Sequence, residues 1–487
     1  MTNPELEFKA LLRLDLMSFV ERCFMELQPT QQLSYAPHLE VMAAKLANTL
    51  LGRGPRRLII NLPPRSLKSI TVSVGAVAWL LGQDPSKQII CASYGQELAE
   101  KLARDTRTIM ASSFYRNVFP ASILSTTKLS VNDFYTIRQG FRMATSIGGV
   151  LTGRGADIII IDDPLKPDEA LSETRRGAVN DWYDNTLLSR LNSKENGIIV
   201  IVMQRLHQDD LVGHVLERGE DWEILSFPAI AEEDECYIIE TPIGTRTFRR
   251  KRGDVLDPGR ESLHTLQGIK QLIGTYNFTS QYQQNPTPVG GAMVLTDWLR
   301  YYDPAAPLPR FTTVIQSWDT ANKSGELNDY SVCTTWGLFD GKCYLLHVLR
   351  QRLNYPDLKR RVVEQIARYD PRHVVIEDKA SGIQLIQDLK SEGVYQVKPY
   401  EAPRQADKIM RLHAQTAHFE SGHVLLPRSA PWLAEYVREL TTFPGTRFDD
   451  QVDSTSQALE FLGAEASSLA VWEALGRLCR PRGYETW

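Results

Sequence analysis

Two groups of residues in this 487-residue chain have the types and spacing to do chemistry. The first runs from Leu58-Ile59-Ile60-Asn61 through Leu62-Pro63-Pro64-Arg65-Ser66-Leu67-Lys68-Ser69-Ile70. An apolar strand, a tight loop and Lys-Ser opening a helix form the layout in which backbone N–H groups surround a polyphosphate. The lysine offsets its charge and the hydroxyl holds Mg²⁺. Pro64, Arg65, Ser66, Leu67, Lys68 and Ser69 are the candidate nucleotide-binding residues. Leu62 and Leu67 stand where a strict G-x-x-x-x-G-K-[ST] loop has glycine, and a basic loop beside a buried strand is the plainer alternative for this segment alone. Further on, the isoleucine run 158–161 leads into Asp162-Asp163-Pro164. A carboxylate ending a neighbouring buried strand holds the metal's water shell, and an acid beside it orients the attacking water. Asp162 fits the first task and Asp163 the second, with a helix N-cap as the duller alternative. Arg154, in Gly153-Arg154-Gly155, is a candidate to reach a γ-phosphate, in the same chain or across a subunit contact, with a structural loop as its rival. Gln204, after the apolar run 198–202, is the candidate sensor of phosphate loss, or else a structural hydrogen-bonding group.

The second group is acidic. Asp319 and Glu377 end apolar runs, and Phe448-Asp449-Asp450-Gln451-Val452-Asp453 opens a helix-like stretch. Acids at the ends of adjacent strands, joined by an acid from a helix start, can hold two Mg²⁺ or Mn²⁺ ions about 4 Å apart, one activating water and one stabilising the leaving oxygen of a phosphodiester. The order is that of a ribonuclease-H-like nuclease. Asp450 and Asp453 share a helix face at i, i+3, so both are candidate metal ligands, and Asp449 is assigned to the helix cap. Asp329, Asp378 and Lys379 are weaker candidates, and a lone acid at a strand end is ordinarily just solvated.

The elements that must position these groups change texture along the chain. Residues 1–228 alternate helix-length stretches with short β-branched runs, the pattern of strands buried on both faces of a mostly parallel α/β sheet. Residues 229–310 carry Arg246, Arg249, Arg250, Lys251 and Arg252 and then Asn285-Pro286-Thr287-Pro288-Val289-Gly290-Gly291, which reads as a connecting subdomain. Residues 311–466 open as a meander, with Asp340-Gly341 as a hairpin turn, and 452–462 reads as a late helix; 467–487 reads as a tail.

Composition narrows the classes. Hydrophobic residues at 43% and charged residues at 23% exclude a disordered or fibrous chain. The 55 Lys and Arg against 59 Asp and Glu, a net charge of -4, exclude a general polycation, so any nucleic-acid contact must come from local patches. The longest uncharged apolar stretch, 72–82, is about half the length of a membrane span, and the charged start does not read as a signal peptide; both favour the cytoplasm and no membrane partner. Six scattered cysteines suggest neither zinc nor disulfides.

Taken in order, Pro63-Pro64-Arg65-Ser66-Leu67-Lys68-Ser69, Leu151-Thr152-Gly153-Arg154-Gly155-Ala156-Asp157, Asp162-Asp163-Pro164-Leu165-Lys166, Met203-Gln204-Arg205-Leu206-His207, Gln281-Tyr282-Gln283-Gln284-Asn285-Pro286, Ser317-Trp318-Asp319-Thr320-Ala321 and Asp449-Asp450-Gln451-Val452-Asp453 resemble the large terminase subunit of tailed bacteriophages. The resemblance implies an N-terminal P-loop ATPase of the additional-strand class followed by a C-terminal ribonuclease-H-like nuclease. It further implies a homo-oligomeric ring on the portal protein of a prohead in the host cytoplasm, a small terminase subunit choosing the double-stranded DNA, and ATP with Mg²⁺ or Mn²⁺ as cofactors. On that analogy Lys68, Ser69 and Asp162 bind Mg-ATP, Asp163 takes the place of a catalytic Glu, and Asp319, Glu377 and Asp450 or Asp453 cut. A helicase-nuclease of DNA repair and a non-catalytic nucleotide-binding assembly protein are the competing readings.

Overall fold

The β-branched runs of the N-terminal half become the inner strands of one sheet. They are β1 (Arg57–Asn61), β2 (Gln88–Ser93), β3 (Leu124–Leu129), β4 (Asp133–Thr136), β5 (Phe141–Ser146), β6 (Ile158–Asp162), β7 (Ile198–Met203) and β8 (Glu223–Ser226). The order is β3-β4-β5-β2-β6-β7-β1-β8. All pairings from β5 to β8 are parallel, and β3 and β4 continue the sheet antiparallel at one edge. Alternate residues of each strand feed two cores. Leu58, Ile60, Ile158 and Ile160 pack with Phe19, Leu46 and Trp79 on one face, whereas Ile59, Ile159, Ile161 and Ile199 pack with Trp182, Tyr183 and Leu211 on the other. With both faces covered, no strand position in these runs has to be polar. The acid-bearing strand β6 is not the immediate neighbour of β1: β7, the strand that ends before Gln204, lies between them. Strand order along a sheet leaves no trace in local sequence, and this inserted strand is the additional-strand arrangement.

The structure is a computed structural model and describes residues 4–149, 151, 153–286, 293–320, 330–379, 381–402, 407–445 and 448–478. It divides into two units, Met1–Pro288 and Val289–Trp487. The first unit continues past its sheet with an antiparallel hairpin of β9 (Glu235–Thr241) and β10 (Gly244–Arg250), then helix Leu263–Gln281, which is interrupted at Gly274 with φ 80°. Arg246 pairs with Glu40 at 2.9 Å, and the buried Arg250 pairs with Glu235 at 3.3 Å, so part of the basic cluster works inside this unit.

The second unit has strands β11 (Arg300–Tyr302), β12 (Thr313–Asp319), β13 (Ser331–Phe339), β14 (Lys342–Gln351), β15 (His373–Glu377), β16 (Val397–Tyr400) and β17 (Val424–Pro427). They are ordered β11-β17-β14-β13-β12-β15-β16. β12, β13 and β14 form the antiparallel meander, while β15 and β16 add parallel to β12. At the β13–β14 turn, Asp340 and Gly341 both take positive φ (49° and 70°), as a two-residue hairpin requires. Helix Asp450–Leu478 is longer than the 452–462 expected and covers one face through Val452, Leu459 and Leu462. Among the described residues five cysteines are free, and no helix is long and apolar enough to cross a membrane.

Candidate nucleotide and nuclease sites

The loop after β1 has no glycine, yet it takes a glycine-like path. Leu62 is fully buried and belongs to the core. Arg65 and Leu67 adopt left-handed φ of 59° and 57°, a conformation that costs an L side chain about 1–2 kcal/mol. Leu67 also packs against the core, an apolar contact that offsets some of this strain. The chain becomes helical at Lys68, passes through a π-wound stretch, Ile70–Gly75, and continues as helix Ala76–Gln83. Such π-stretches cluster at functional sites.

Here Lys68, Ser69, Asp162, Asp163 and Gln204 come together. Lys68, only 6% exposed, places Nζ 2.9 Å from Asp163 Oδ1. Asp162, at the end of β6, accepts from Ser69 Oγ at 3.0 Å and from Ser73 Oγ at 2.5 Å. Burial raises the proton affinity of Asp162, Asp163 raises it further, and Ser73, Lys68 and Ser69 oppose both. Asp163 sits just past the strand with φ 45° and accepts from the backbone N–H of Gln204 at 3.3 Å. The side-chain oxygen of Gln204 is buried with no hydrogen-bond partner among the described residues. Pro64, Arg65 and Ser66 form the loop between β1 and Lys68. Arg154 is held elsewhere: Nη2 lies 2.8 Å from Asp133, and Nη1 donates to the Tyr135 hydroxyl. This donor set, an ammonium, a hydroxyl and two carboxylates that satisfy one another, fits a magnesium-bound triphosphate, which would take over both the cation and the oxygens.

In the second unit, Asp319 and Glu377 end parallel neighbours, with Trp318 opposite Ile376 in register. The start of helix Asp450–Leu478 is held by Glu439. Its carboxylate accepts from the Gln451 N–H at 2.7 Å, the Val452 N–H at 3.3 Å and the Gln451 side-chain amide at 2.6 Å. Ser454 then clamps this first turn to the sheet, donating to Ser317 O at 2.8 Å while Ser317 Oγ donates to Ser454 O at 2.7 Å. Asp449 stands at the N-cap position, its carbonyl accepting from the Asp453 N–H at 2.9 Å, but the side-chain capping is done by Glu439, and the Asp449 carboxylate pairs with Lys408 at 2.7 Å.

Asp319, Glu377, Asp449, Asp450 and Asp453 line one cavity of about 280 Å³ together with Lys379, Lys408 and Arg411. Burial lifts the Asp319 carboxyl well above the usual range, and Asp453, Glu377 and Asp450 lift it further. Burial and then Asp449 push Asp450 up to about 6, and its Oδ2 is buried with no partner among the described residues. Cations occupy part of the cluster. Lys408 Nζ lies 2.7 Å from Asp453 Oδ2, Arg411 Nη2 lies 2.9 Å from Asp453 Oδ1, and Lys379 Nζ lies 2.8 Å from Glu377. As they stand, no three His, Cys, Asp or Glu side chains among the described residues converge on one ion position. Hard oxygen donors, mutual repulsion and an orphaned carboxylate oxygen nevertheless fit divalent cations. Asp378 is exposed beside Glu377, and Asp329 lies outside the described residues.

Sequence reasoning missed Lys408, Arg411, Glu439, Ser73 and Ser454. Lys408 and Arg411 recur at i, i+3, which is a signal, but only packing of helix Lys408–Glu420 beside the acids gives it meaning.

Fold and geometry define an additional-strand P-loop unit joined in one chain to a ribonuclease-H-like unit. Residues 316–461 match the family model described as the terminase RNaseH-like domain. A large terminase from a thermophilic bacteriophage matches with TM-score 0.52 at 11% identity, covering 88% of this chain and 99% of that one. The same protein in complex with ADP matches with TM-score 0.50 at 12% identity, covering 87% and 98%. In complex with ATP-gamma-S it matches with TM-score 0.50 at 11% identity, covering 88% and 98%. No curated protein matches in sequence. The chain is thus similar to bacteriophage large terminase subunits, in sequence over most of the ribonuclease-H-like unit and in fold over most of its length.

Proposed function

We propose that this chain is the motor and nuclease subunit of a bacteriophage DNA-packaging machine, hydrolysing ATP to drive double-stranded DNA into a prohead and cutting that DNA. The observation that carries the reading is the pairing, in one chain, of the Lys68–Asp163 and Ser69–Asp162 contacts with a carboxylate-lined cavity inside a terminase RNaseH-like domain. The thermophilic phage terminase was solved with ADP and with ATP-gamma-S, which supports a nucleotide at the first site.

In the proposed cycle Lys68 leaves Asp163 for the β- and γ-phosphates, and Asp163, released, orients the attacking water. Ser69 and Asp162 would hold magnesium. Arg154 acts as a finger only on leaving Asp133 and Tyr135. At the second site bound divalent ions supply water activation and charge stabilisation. Asp319, Glu377 and Asp450 would hold them, and Asp453 would join only by giving up Lys408 and Arg411, which line the same cavity and offer positive charge to DNA phosphates. The partners of this reading are double-stranded DNA, a small terminase subunit and the portal protein, with the chain working as a ring in the host cytoplasm.

The test is paired. ATP turnover that rises with DNA and is lost in Lys68→Ala, with Mg²⁺- or Mn²⁺-dependent plasmid nicking lost in Asp319→Ala, is the expected result. Purified protein that neither turns over ATP nor nicks DNA refutes the reading.

A further inference from the structure

Gln284 stands just before the end of the first unit at Pro288, and it is built in an unfavourable way. Its φ is 58°, a left-handed value that glycine or asparagine takes more readily after a helix, and the side chain is only 6% exposed. The strained backbone aims the amide inward. Oε1 accepts from the backbone N–H of Arg205 at 3.0 Å, and Nε2 donates to Gln281 O at 2.5 Å. Beside it, Gln283 ties the same segment to Ile230, accepting from its N–H at 3.0 Å and donating to its carbonyl at 2.8 Å.

The contact with Arg205 completes a short relay. Lys68 Nζ touches Asp163 Oδ1, and that same oxygen accepts from the N–H of Gln204. The next peptide N–H, that of Arg205, goes to Gln284. The Arg205 side chain cannot follow the backbone freely, because Nε is held by both oxygens of the buried Asp210, at 3.1 and 2.9 Å. Asp163 is thus bonded to the Met203–Gln204 peptide, and the next peptide, Gln204–Arg205, is bonded to Gln284, so a shift of Asp163 when Lys68 is drawn away has a short bonded path to Gln284. Strain retained at a buried position whose side chain bridges two elements is the kind of outlier that points to a switch rather than to packing.

We propose that Gln284 is a positioning residue that passes the state of the Lys68–Asp163 pair to the segment by which the chain leaves its first unit. The proposal rests on the ATPase reading of the Lys68 loop. Hydrogen exchange on the full chain, with and without ATP-gamma-S, separates the two. In the wild type the nucleotide should slow exchange in 62–69, 198–206 and 276–286. In Gln284→Gly, a better backbone fit, the first two responses should persist and the third should vanish, and DNA stimulation of ATP turnover should fall at least about fivefold with basal turnover retained. A merely structural cap would tolerate glycine and keep all three responses, which overturns the proposal. A wild-type response at 62–69 with none at 276–286 overturns it as well. No wild-type response at 62–69 overturns the nucleotide reading itself. If Gln284→Gly unfolds early, Gln284→Glu keeps an acceptor for Arg205 and must preserve the response at 276–286; its absence there also refutes the proposal.

Discussion

Replacing Asp450 by asparagine should stabilise the metal-free protein while destroying its use of metal. The carboxyl is pushed from its ordinary 3.8 to about 6, first by burial and then by Asp449. Between about pH 4 and 6 the unfolded chain ionises this group while the folded chain keeps its proton, so stability is lost as pH rises through that window. The shift corresponds to roughly 3 kcal/mol at pH 8, which screening through the open cavity reduces to about 1–2 kcal/mol. Asparagine has the same shape and no charge, and it also relieves repulsion on Asp319. For a unit of this size the gain in melting temperature at pH 8 in EDTA is about 3–6 °C. At pH 4.5 most of the difference should disappear. Mn²⁺ should reverse the order, raising the wild type and leaving Asp450→Asn nearly unmoved. Calorimetry at the two pH values, with and without Mn²⁺, is the assay. A variant no more stable than wild type at pH 8 in EDTA, or a gap equal at both pH values, would refute an uncompensated acidic cluster.

The remaining predictions concern each site separately. Lys68→Ala should abolish ATP turnover and leave Mn²⁺-dependent nicking near wild type; Asp319→Ala should do the opposite, and loss of both activities in either variant would count against two independent sites. Ser73→Ala removes the 2.5 Å bond to the buried Asp162, a loss of about 1.5–3 kcal/mol. Because Asp162 then holds its proton more tightly, the pH–rate profile for ATP turnover should move to higher pH, and an unchanged profile would show that Asp162 does not need to ionise. Glu439→Ala strips the acceptor from Gln451 and Val452 and should cost about 2–4 kcal/mol. Glu439→Gln, which keeps an acceptor, should cost clearly less in the same denaturant titration.

What could be read in advance follows from what local sequence encodes. The runs 158–161 and 198–202 announce strands because a parallel sheet covered on both faces asks for apolar residues at every position. Acids directly after such runs must lie at a strand end, which is why Asp162 and Asp319 were legible. The insertion of β7 between β1 and β6 was legible only through the family resemblance, which implied an additional-strand sheet, since strand order depends on helices crossing over the sheet and not on local pattern. Residues 229–310 read as a connecting subdomain because of their basic cluster and the Pro/Gly stretch 285–291, and within them Arg246 on Glu40, Arg250 on the Pro228 carbonyl and Tyr237 against the core tie the β9–β10 hairpin to the first unit. Glu439 reads as an ordinary acid within helix Leu433–Thr442, and only the arrival of the next helix start buries it.

Both sites share a design that sequence motifs do not express: the groups that would hold the ligand hold each other. Lys68 is paired with Asp163, and Ser69 and Ser73 are spent on Asp162, so a nucleotide gains only the difference between its own contacts and these. In the second unit Lys408 and Arg411 occupy both oxygens of Asp453 and Lys379 takes Glu377, while among the described residues no cation pairs with Asp319 or Asp450, whose carboxyls burial pushes up. The consequence is a competition whose sign depends on salt and charge. Anionic DNA that draws Lys408 and Arg411 toward its phosphates frees Asp453 and deepens the negative potential in the cavity, so DNA and divalent metal should strengthen each other's binding. Lys408→Met should therefore raise Mn²⁺ affinity in the absence of DNA and weaken the effect of DNA upon it. Calorimetric titration of Mn²⁺ into a DNA-free sample of the variant measures this directly, and an affinity equal to or below that of the wild type would show that the ammonium does not compete with the metal.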